Sequence, residues 1–291
     1  MIESQTLGFI GTGVMGEPMC RNLAAKCGLV LAWDPSPAPL ERLRAEGVAI
    51  AASAADVAGR ASTLFLCLPG GAQLKALCEG QLLAAARKGL TIVDLGTSGV
   101  GLTRELARRF AERGADYADA PIARTREAAQ QGTLSVTVGA SAEVFARIEP
   151  LLRCVGSDVT HCGGVGSGQV VKILNNMVLF QTVNALAEAL ALGRRAGVDP
   201  ALLFDALSKG SADSFALRNH GMKAMLPGVY PERAFSVEYA AKDNGYALEL
   251  GRETGVRLRG AQLLADILDE ARAAGFGAAY WPVIAKIADR G

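Results

Sequence analysis

The sequence predicts an α/β fold: a doubly wound parallel sheet followed by an all-α domain, with one long helix joining the two. Three observations lead there. Strand and helix signals alternate through the first half of the chain. A glycine-rich turn, Gly11-Thr12-Gly13-Val14-Met15-Gly16, lies between the first strand and the first helix. After Gly163-Gly164-Val165-Gly166-Ser167-Gly168 the strand signals stop, and apolar residues recur at helical spacing.

Strands are expected at Leu7–Ile10, Leu29–Trp33, Thr63–Cys67, Thr91–Asp94, Asp116–Ala118 and Leu134–Val138. Helices fill the gaps, at Glu17–Lys26, Pro39–Ala45, Ser53–Ala58, Gly71–Leu77, Gly101–Arg113 and Ala142–Leu152. In the first unit each glycine has a task. Gly11 permits the tight turn, Gly13 lets backbone approach a pyrophosphate, and Gly16 allows close helix–strand packing. Thr12, Val14 and Met15 complete the loop, and the helix N-terminus behind it favours phosphate charge. Such a βα unit is of Rossmann type. Asp34 ends the second strand, about 20 residues further on, where a carboxylate can accept hydrogen bonds from a ribose 2′-OH and would repel a 2′-phosphate. That points to NAD rather than NADP, although Arg42 and Arg44 follow within reach and Asp34 could also be a turn residue before Pro35. Leu68-Pro69-Gly70 and Leu95-Gly96-Thr97 follow other strand ends, the edge where ligands sit in such sheets.

The second half reads as helical throughout. The stretch from Gln169 to Arg195 has no Pro and no Gly before Gly193, and makes one helix of roughly 40 Å at about 1.5 Å per residue. Further helices are expected at Pro200–Leu207, His220–Met225, Tyr239–Thr254, Leu258–Ala274 and after Trp281, where Pro282 suits a first turn. The domains are expected as 1–166, which binds the nucleotide, and 167–291, which serves substrate and oligomerisation.

Composition narrows the function class. The 291 residues carry 30 basic and 29 acidic side chains, a formal net charge of +1, which gives no reason to expect nucleic acid or a membrane surface as partner. Apolar runs are short, no secretory leader is apparent, and the chain is expected in the cytoplasm. The six cysteines form no C-x-x-C pair and are expected as reduced thiols. His161 and His220 have no metal-ligand spacing, so no metal site is expected.

A second chemical site opens the long helix. Lys172 and Asn176 are four residues apart, so they share a face, and an ammonium beside an amide can hold and polarise a carbonyl oxygen. A Lys at a helix start is more often solvated, but Val170, Val171, Ile173 and Leu174 give this one an apolar surround.

With these motifs the chain resembles the β-hydroxyacid dehydrogenases. Gly8 to Gly16 matches that family's opening motif, Asp119-Ala120-Pro121-Ile122 with Gly132-Thr133-Leu134 its substrate loop, Gly166 to Asn176 its catalytic motif, and Lys242-Asp243 its late Lys-Asp pair. The resemblance implies that Lys172 is the catalytic acid/base, that Asn176 holds the substrate, that Thr97 lies near the nicotinamide, and that Lys242 closes the site from the α-domain. Retention of Lys172 favours carbonyl and alcohol chemistry over imine reduction. The family's Ser-Gly-Gly is replaced here by Ala123-Arg124-Thr125. In this the loop is similar to the sulfolactaldehyde reductases, and Arg124 is expected to face the substrate's anionic group, carboxylate or sulfonate. Gly96 stands where the family usually has Ser.

The expected activity is NAD-dependent interconversion of a short 3-hydroxy acid, or hydroxy sulfonate, and its semialdehyde, with 3-hydroxyisobutyrate and tartronate semialdehyde among the carboxylate alternatives. A minor reading is a non-catalytic dinucleotide-binding module. The apolar helices suggest that the chain self-associates, and the resemblance implies a homodimer or homotetramer.

Overall fold

In a computed structural model, described here for residues 6–232 and 234–290, the chain forms two compact units that divide between Lys172 and Ile173. The division falls inside the long helix, six residues beyond the expected boundary, because that helix's first turn is bonded to the sheet of the first unit.

The first unit holds nine strands: β1 (Leu7–Ile10), β2 (Val30–Trp33), β3 (Ala49–Ile50), β4 (Thr63–Leu66), β5 (Thr91–Asp94), β6 (Asp116–Asp119), β7 (Ile122–Ala123), β8 (Leu134–Gly139) and β9 (Gly156–Gly163). Their order is β3-β2-β1-β4-β5-β6-β8-β7, with β9 beside β8. The first six are parallel, and the order reverses at β1, so β1 and β4 flank the switch point where such sheets bind ligands. β8 runs antiparallel to β6 and β7 and parallel to β9, so the sheet is mixed at this edge rather than parallel throughout.

Helices α1 (Gly16–Cys27), α2 (Pro37–Ala45), α3 (Ala54–Arg60), α4 (Gly71–Leu77), α5 (Leu83–Ala85), α6 (Val100–Ala111), α7 (Arg126–Gln131) and α8 (Ala142–Leu152) belong to this unit. Alternation along the strands divides the core between two faces. Phe9, Phe65 and Val93 pack with Met19 and Leu23 of α1, while Ile10, Leu64, Leu66 and Ile92 pack with Val57, Leu106 and Phe110. Both faces are covered, which is why these strands read as continuous apolar runs. Ser53 and Ser141 cap α3 and α8 by accepting backbone N–H groups three residues on.

Four cysteines are free, but Cys27 at the end of α1 and Cys154 after α8 are joined as a disulfide. This corrects the expectation of six thiols. Only the packing of α1 beside α7 and the segment after α8 brings two cysteines 127 positions apart together, and no local motif marks them.

The second unit is helical. Its core gathers Phe180, Val183, Leu186 and Leu190 of α9 (Ser167–Arg195), Phe204 of α10 (Pro200–Ser208), Val237 and Ala240 of α11 (Val237–Thr254), Leu264 and Leu268 of α12 (Arg259–Ala273), and Trp281, which precedes α13 (Ala285–Ala288). Phe180 and Trp281 meet edge to face, with centroids 4.8 Å apart. α9 is long and apolar enough to cross a bilayer by length and composition alone. It is a core helix: its start is bonded to β6 and its later turns fill the second core. Val171 and Leu174, expected in the apolar surround of Lys172, are exposed, as is Val178.

Candidate active site

The nucleotide end is built at the carboxyl ends of β1, β2 and β4. Gly11 has φ +93°, and a side-chain carbon there would lie 2.2 Å from the Cys67 carbonyl oxygen. At Gly16 it would lie 1.8 Å from the Gly11 oxygen. At Gly13 it would meet nothing within 4 Å, so this backbone faces open space. Two glycines are thus required by the fold and the third by nothing inside the protein, which is the pattern a bound pyrophosphate demands. Thr12 is fully buried and its hydroxyl has no partner, Val14 is exposed, and Met15 precedes the first turn of α1.

Asp34 accepts the Thr12 N–H at 2.6 Å and the Ser36 N–H at 2.8 Å, which fixes its carboxylate against the glycine loop. Arg42 is turned to Glu17, with Nε and Nη2 donating to the two carboxylate oxygens at 2.9 and 2.7 Å. Arg42 and Arg21 together hold the Glu17 carboxyl below its ordinary pKa. Leu68 and Pro69 follow β4, half-buried and exposed respectively.

Beyond β5, Thr97 is half-buried in a loop held by a buried polar cluster. Asp94 accepts the Gly96 N–H at 2.9 Å and lies 3.4 Å from the Ser98 and Tyr117 hydroxyls, which donate to it. Burial pushes Asp94 up to about 7. A side-chain carbon at Gly96 would stand 3.1 Å from Asp94 and 3.2 Å from the Leu68 oxygen, tight enough to account for glycine where the family has Ser.

The loop Ala123-Arg124-Thr125 runs along β8 beyond the end of β6. Its side chains serve the fold. Thr125 caps α7 through its hydroxyl, which accepts the Ala128 N–H. Arg124 donates to the Thr133 oxygen at 2.6 Å, to Ser157 Oγ at 2.9 Å and to Asp158 at 2.7 Å. The Ser157 hydroxyl and this guanidinium hold the Asp158 carboxyl below the usual range. The Arg124 fork, expected at a substrate anion, is here engaged by the Thr133 carbonyl and by Ser157 and Asp158 of β9. Arg124 also has φ +86°, a left-handed backbone where the family's glycine would fit without strain. Arg124→Gly trades an exposed ion pair for relief of that strain. It is expected to change turnover by no more than about threefold and Tm by no more than about 4 °C. A tenfold loss confined to anionic substrates would return the guanidinium to the site.

Lys172 is half-buried in the second turn of α9. Four residues later Asn176 is 4 % exposed and donates Nδ2 to Asp243 at 2.8 Å. The other Asp243 oxygen takes the Lys242 ammonium at 2.6 Å, and that ammonium also lies over the rings of Tyr239 and Tyr246. Asp243 therefore fixes which way the Asn176 amide faces, and Lys242 is engaged within its own unit. Asp243 was legible as part of a motif, but its grip on Asn176 was not.

The start of α9 is fixed by a residue the sequence marked only as part of a motif. Asp119 accepts the Gly166 N–H at 2.6 Å and the Gln169 N–H at 2.8 Å, a carboxylate seated on a helix N-terminus. Burial raises it to about 6 despite these donors.

Comparison with known proteins places this geometry. Residues 6–164 match the family described as the NAD binding domain of 6-phosphogluconate dehydrogenase, and residues 166–281 that described as NAD-binding of NADP-dependent 3-hydroxyisobutyrate dehydrogenase. The chain is 34% identical over 289 residues to 2-(hydroxymethyl)glutarate dehydrogenase of Eubacterium barkeri, covering 99% of this chain and 96% of that one. The chain belongs to the β-hydroxyacid dehydrogenase family. It is 33% identical to 2-hydroxy-3-oxopropionate reductase of Escherichia coli, covering 87% of this chain and 86% of that one. Among solved structures, Mycobacterium tuberculosis 3-hydroxyisobutyrate dehydrogenase with L-serine superposes with a TM-score of 0.87 at 28% identity, covering 97% of this chain and 98% of the other. The family's members act on short hydroxy acids and semialdehydes with a nicotinamide dinucleotide.

Proposed function

We propose that this protein interconverts a 3-hydroxy acid of the form HOCH2–CHR–COO⁻ and its semialdehyde, with Lys172 as acid/base and NAD as the preferred cofactor. The substrates named for its relatives, 2-(hydroxymethyl)glutarate, 3-hydroxyisobutyrate and 2-hydroxy-3-oxopropionate, share an alcohol or aldehyde carbon attached to the carbon that bears the carboxylate. The observation that carries the reading is Lys172 one turn from Asn176, on a helix seated by Asp119 at the sheet edge that also presents the open Gly13 backbone.

A nicotinamide dinucleotide held by the Gly11–Gly16 loop and Asp34 would supply the hydride acceptor for the CH2OH carbon, or the hydride donor in reduction. Lys172 accepts the hydroxyl proton at Nζ during oxidation and gives it back during reduction. Asn176, its Nδ2 held by Asp243, presents a fixed amide to the substrate oxygens. The backbone of Arg124 and Thr125, just beyond β7, remains to hold the carboxylate, because the Arg124 fork is engaged with the Thr133 carbonyl and β9. That engagement removes the feature that singled out a sulfonate. Exposed Val171, Leu174 and Val178 support association with further copies of the chain.

The test is NAD reduction with 2-(hydroxymethyl)glutarate, 3-hydroxyisobutyrate and glycerate. Turnover of at least one supports the reading. NADH binding without any turnover would leave a dinucleotide-binding module instead.

Asp34, fixed by two backbone donors, and Arg42, engaged by Glu17, support NAD over NADP. Asp34→Ser is expected to weaken NAD and to lower the ratio of kcat/KM for NAD over NADP by about tenfold, the equivalent of one lost charge-assisted hydrogen bond. An unchanged ratio would remove Asp34 from cofactor choice.

A further inference from the structure

Gln169 is fully buried at the start of α9, and it joins two segments of the first unit that are remote in sequence. Its Nε2 donates to the Gly96 carbonyl at 2.8 Å, while its Oε1 accepts the Ser98 N–H at 3.2 Å. A side-chain amide of this length can give to a carbonyl and take from an N–H at once, which neither a carboxylate nor an ammonium can do. The two backbone groups it engages belong to the residues on either side of Thr97.

The same turn of helix is held from its other sides. Asp119 takes the N–H of Gly166 and of Gln169 itself, and the Thr137 hydroxyl donates to the Gly168 carbonyl at 3.1 Å. The fit is close. A side-chain carbon at Gly168 would lie 2.4 Å from the Thr137 carbonyl oxygen, and one at Gly139 would lie 2.4 Å from the Asp119 carboxylate. These bonds and close approaches tie the start of α9 to β6 and β8. Gln169 extends that tie to the loop around Thr97, and Lys172 stands three residues further along the same helix.

We infer that Gln169 is a positioning residue: its amide sets the distance between the loop bearing Thr97 and the ammonium of Lys172. The inference rests on the proposed reaction, in which Lys172 handles the proton, and on the place beside the nicotinamide that the family resemblance implies for Thr97. Hydride and proton must then move in one geometry, and a misplacement of about 1 Å can cost on the order of a hundredfold. The glycine loop and Asp34, which would hold the rest of the dinucleotide, share no hydrogen bond with Gln169.

The test uses Gln169→Met, of similar length but with no amide, and Gln169→Glu, which keeps the acceptor and loses the donor. Three readouts are taken. In the free protein, amide hydrogen exchange is followed over residues 95–99 and 166–173. NADH affinity is followed by fluorescence. Turnover is followed with 3-hydroxyisobutyrate and 2-(hydroxymethyl)glutarate, with hydrogen or deuterium on the CH2OH carbon. Gln169→Met is expected to speed exchange in both segments by about tenfold and to leave the NADH Kd within about threefold. It is expected to lower kcat by about 10- to 100-fold with a smaller change in KM, and to raise the deuterium isotope effect as hydride transfer becomes limiting. Gln169→Glu is expected to fall between Met and wild type, and carries the test alone if Gln169→Met does not fold. An active wild type beside variants with unchanged kcat and isotope effect overturns the positioning role even if exchange rises. A wild type inactive on 2-(hydroxymethyl)glutarate, 3-hydroxyisobutyrate and glycerate alike overturns the proposed reaction and this role with it.

Discussion

Lys172→Ala is expected to lower kcat by about 10²- to 10⁴-fold, the usual span for a removed acid/base, while NADH binding stays within about threefold. The separation of the two effects follows from where the groups stand. The Gly11–Gly16 loop and Asp34 lie at the ends of β1 and β2 and are held by bonds among themselves. Lys172 lies in α9, and the start of that helix is held by Asp119, Thr137 and Gln169. Truncating the lysine leaves all of those bonds in place. Lys172→Arg sharpens the result. Arginine keeps the charge and donors but cannot surrender its proton, so it is expected to fail in alcohol oxidation almost as fully as alanine. Turnover by Lys172→Ala within tenfold of wild type would remove the lysine from the chemistry. It would shift attention to the Asn176–Asp243 pair.

The parts of this site that were legible in the sequence are those where one residue type meets one local demand. The glycine loop could be read because tight backbone turns and close helix–strand contact exclude side chains, and the structure repeats that logic at Gly11 and Gly16. α8 begins and ends where the sequence places it, with Ser141 capping its first turn, whereas α4 starts at the expected Gly71 but continues without a break into a wider helical turn at Cys78–Leu82. β9 was not legible: Gly-Ser-Asp-Val-Thr-His-Cys-Gly has no apolar run, and most of its side chains are exposed. That omission misdirected Arg124, whose partners Ser157 and Asp158 lie on β9, 33 and 34 residues away. Gln169 has its partners 71 and 73 residues away. Neither side chain's direction could follow from its own neighbourhood, since in both cases the partner is supplied by sheet topology.

Asp94→Asn is expected to make the protein more stable than wild type above pH 7, with the gain shrinking as pH falls. Asp94 is 1 % exposed, and burial is the largest cause that moves its pKa from 3.8 to about 7. A raised carboxyl pKa means that the folded chain holds a proton which the unfolded chain releases. The stability linked to this group is full below the unfolded value and is lost as pH rises through the folded one. At about 1.4 kcal/mol per unit, up to about 4 kcal/mol is given up across that window. Asparagine does not titrate and gives up none of it. It also suits the cluster: its Oδ1 can still accept the Gly96 N–H, and its amide can donate to the hydroxyls of Ser98 and Tyr117, which accept as readily as they donate. Asp119, raised to about 6, adds loss of the same sign in both proteins. His220 acts in the opposite direction. Burial lowers its pKa from 6.5 to about 4, so its share of stability is present above 6.5 and is lost as pH falls toward 4. His220 is common to both proteins and cancels in the difference, which is set mainly by Asp94 and in smaller part by the repulsion between Asp94 and Asp119. Urea unfolding at pH 5 and pH 8.5 measures it. The advantage of Asp94→Asn should grow by about 3 kcal/mol between the two, and parallel curves at both pH values would show that Asp94 is already ionised in the folded chain.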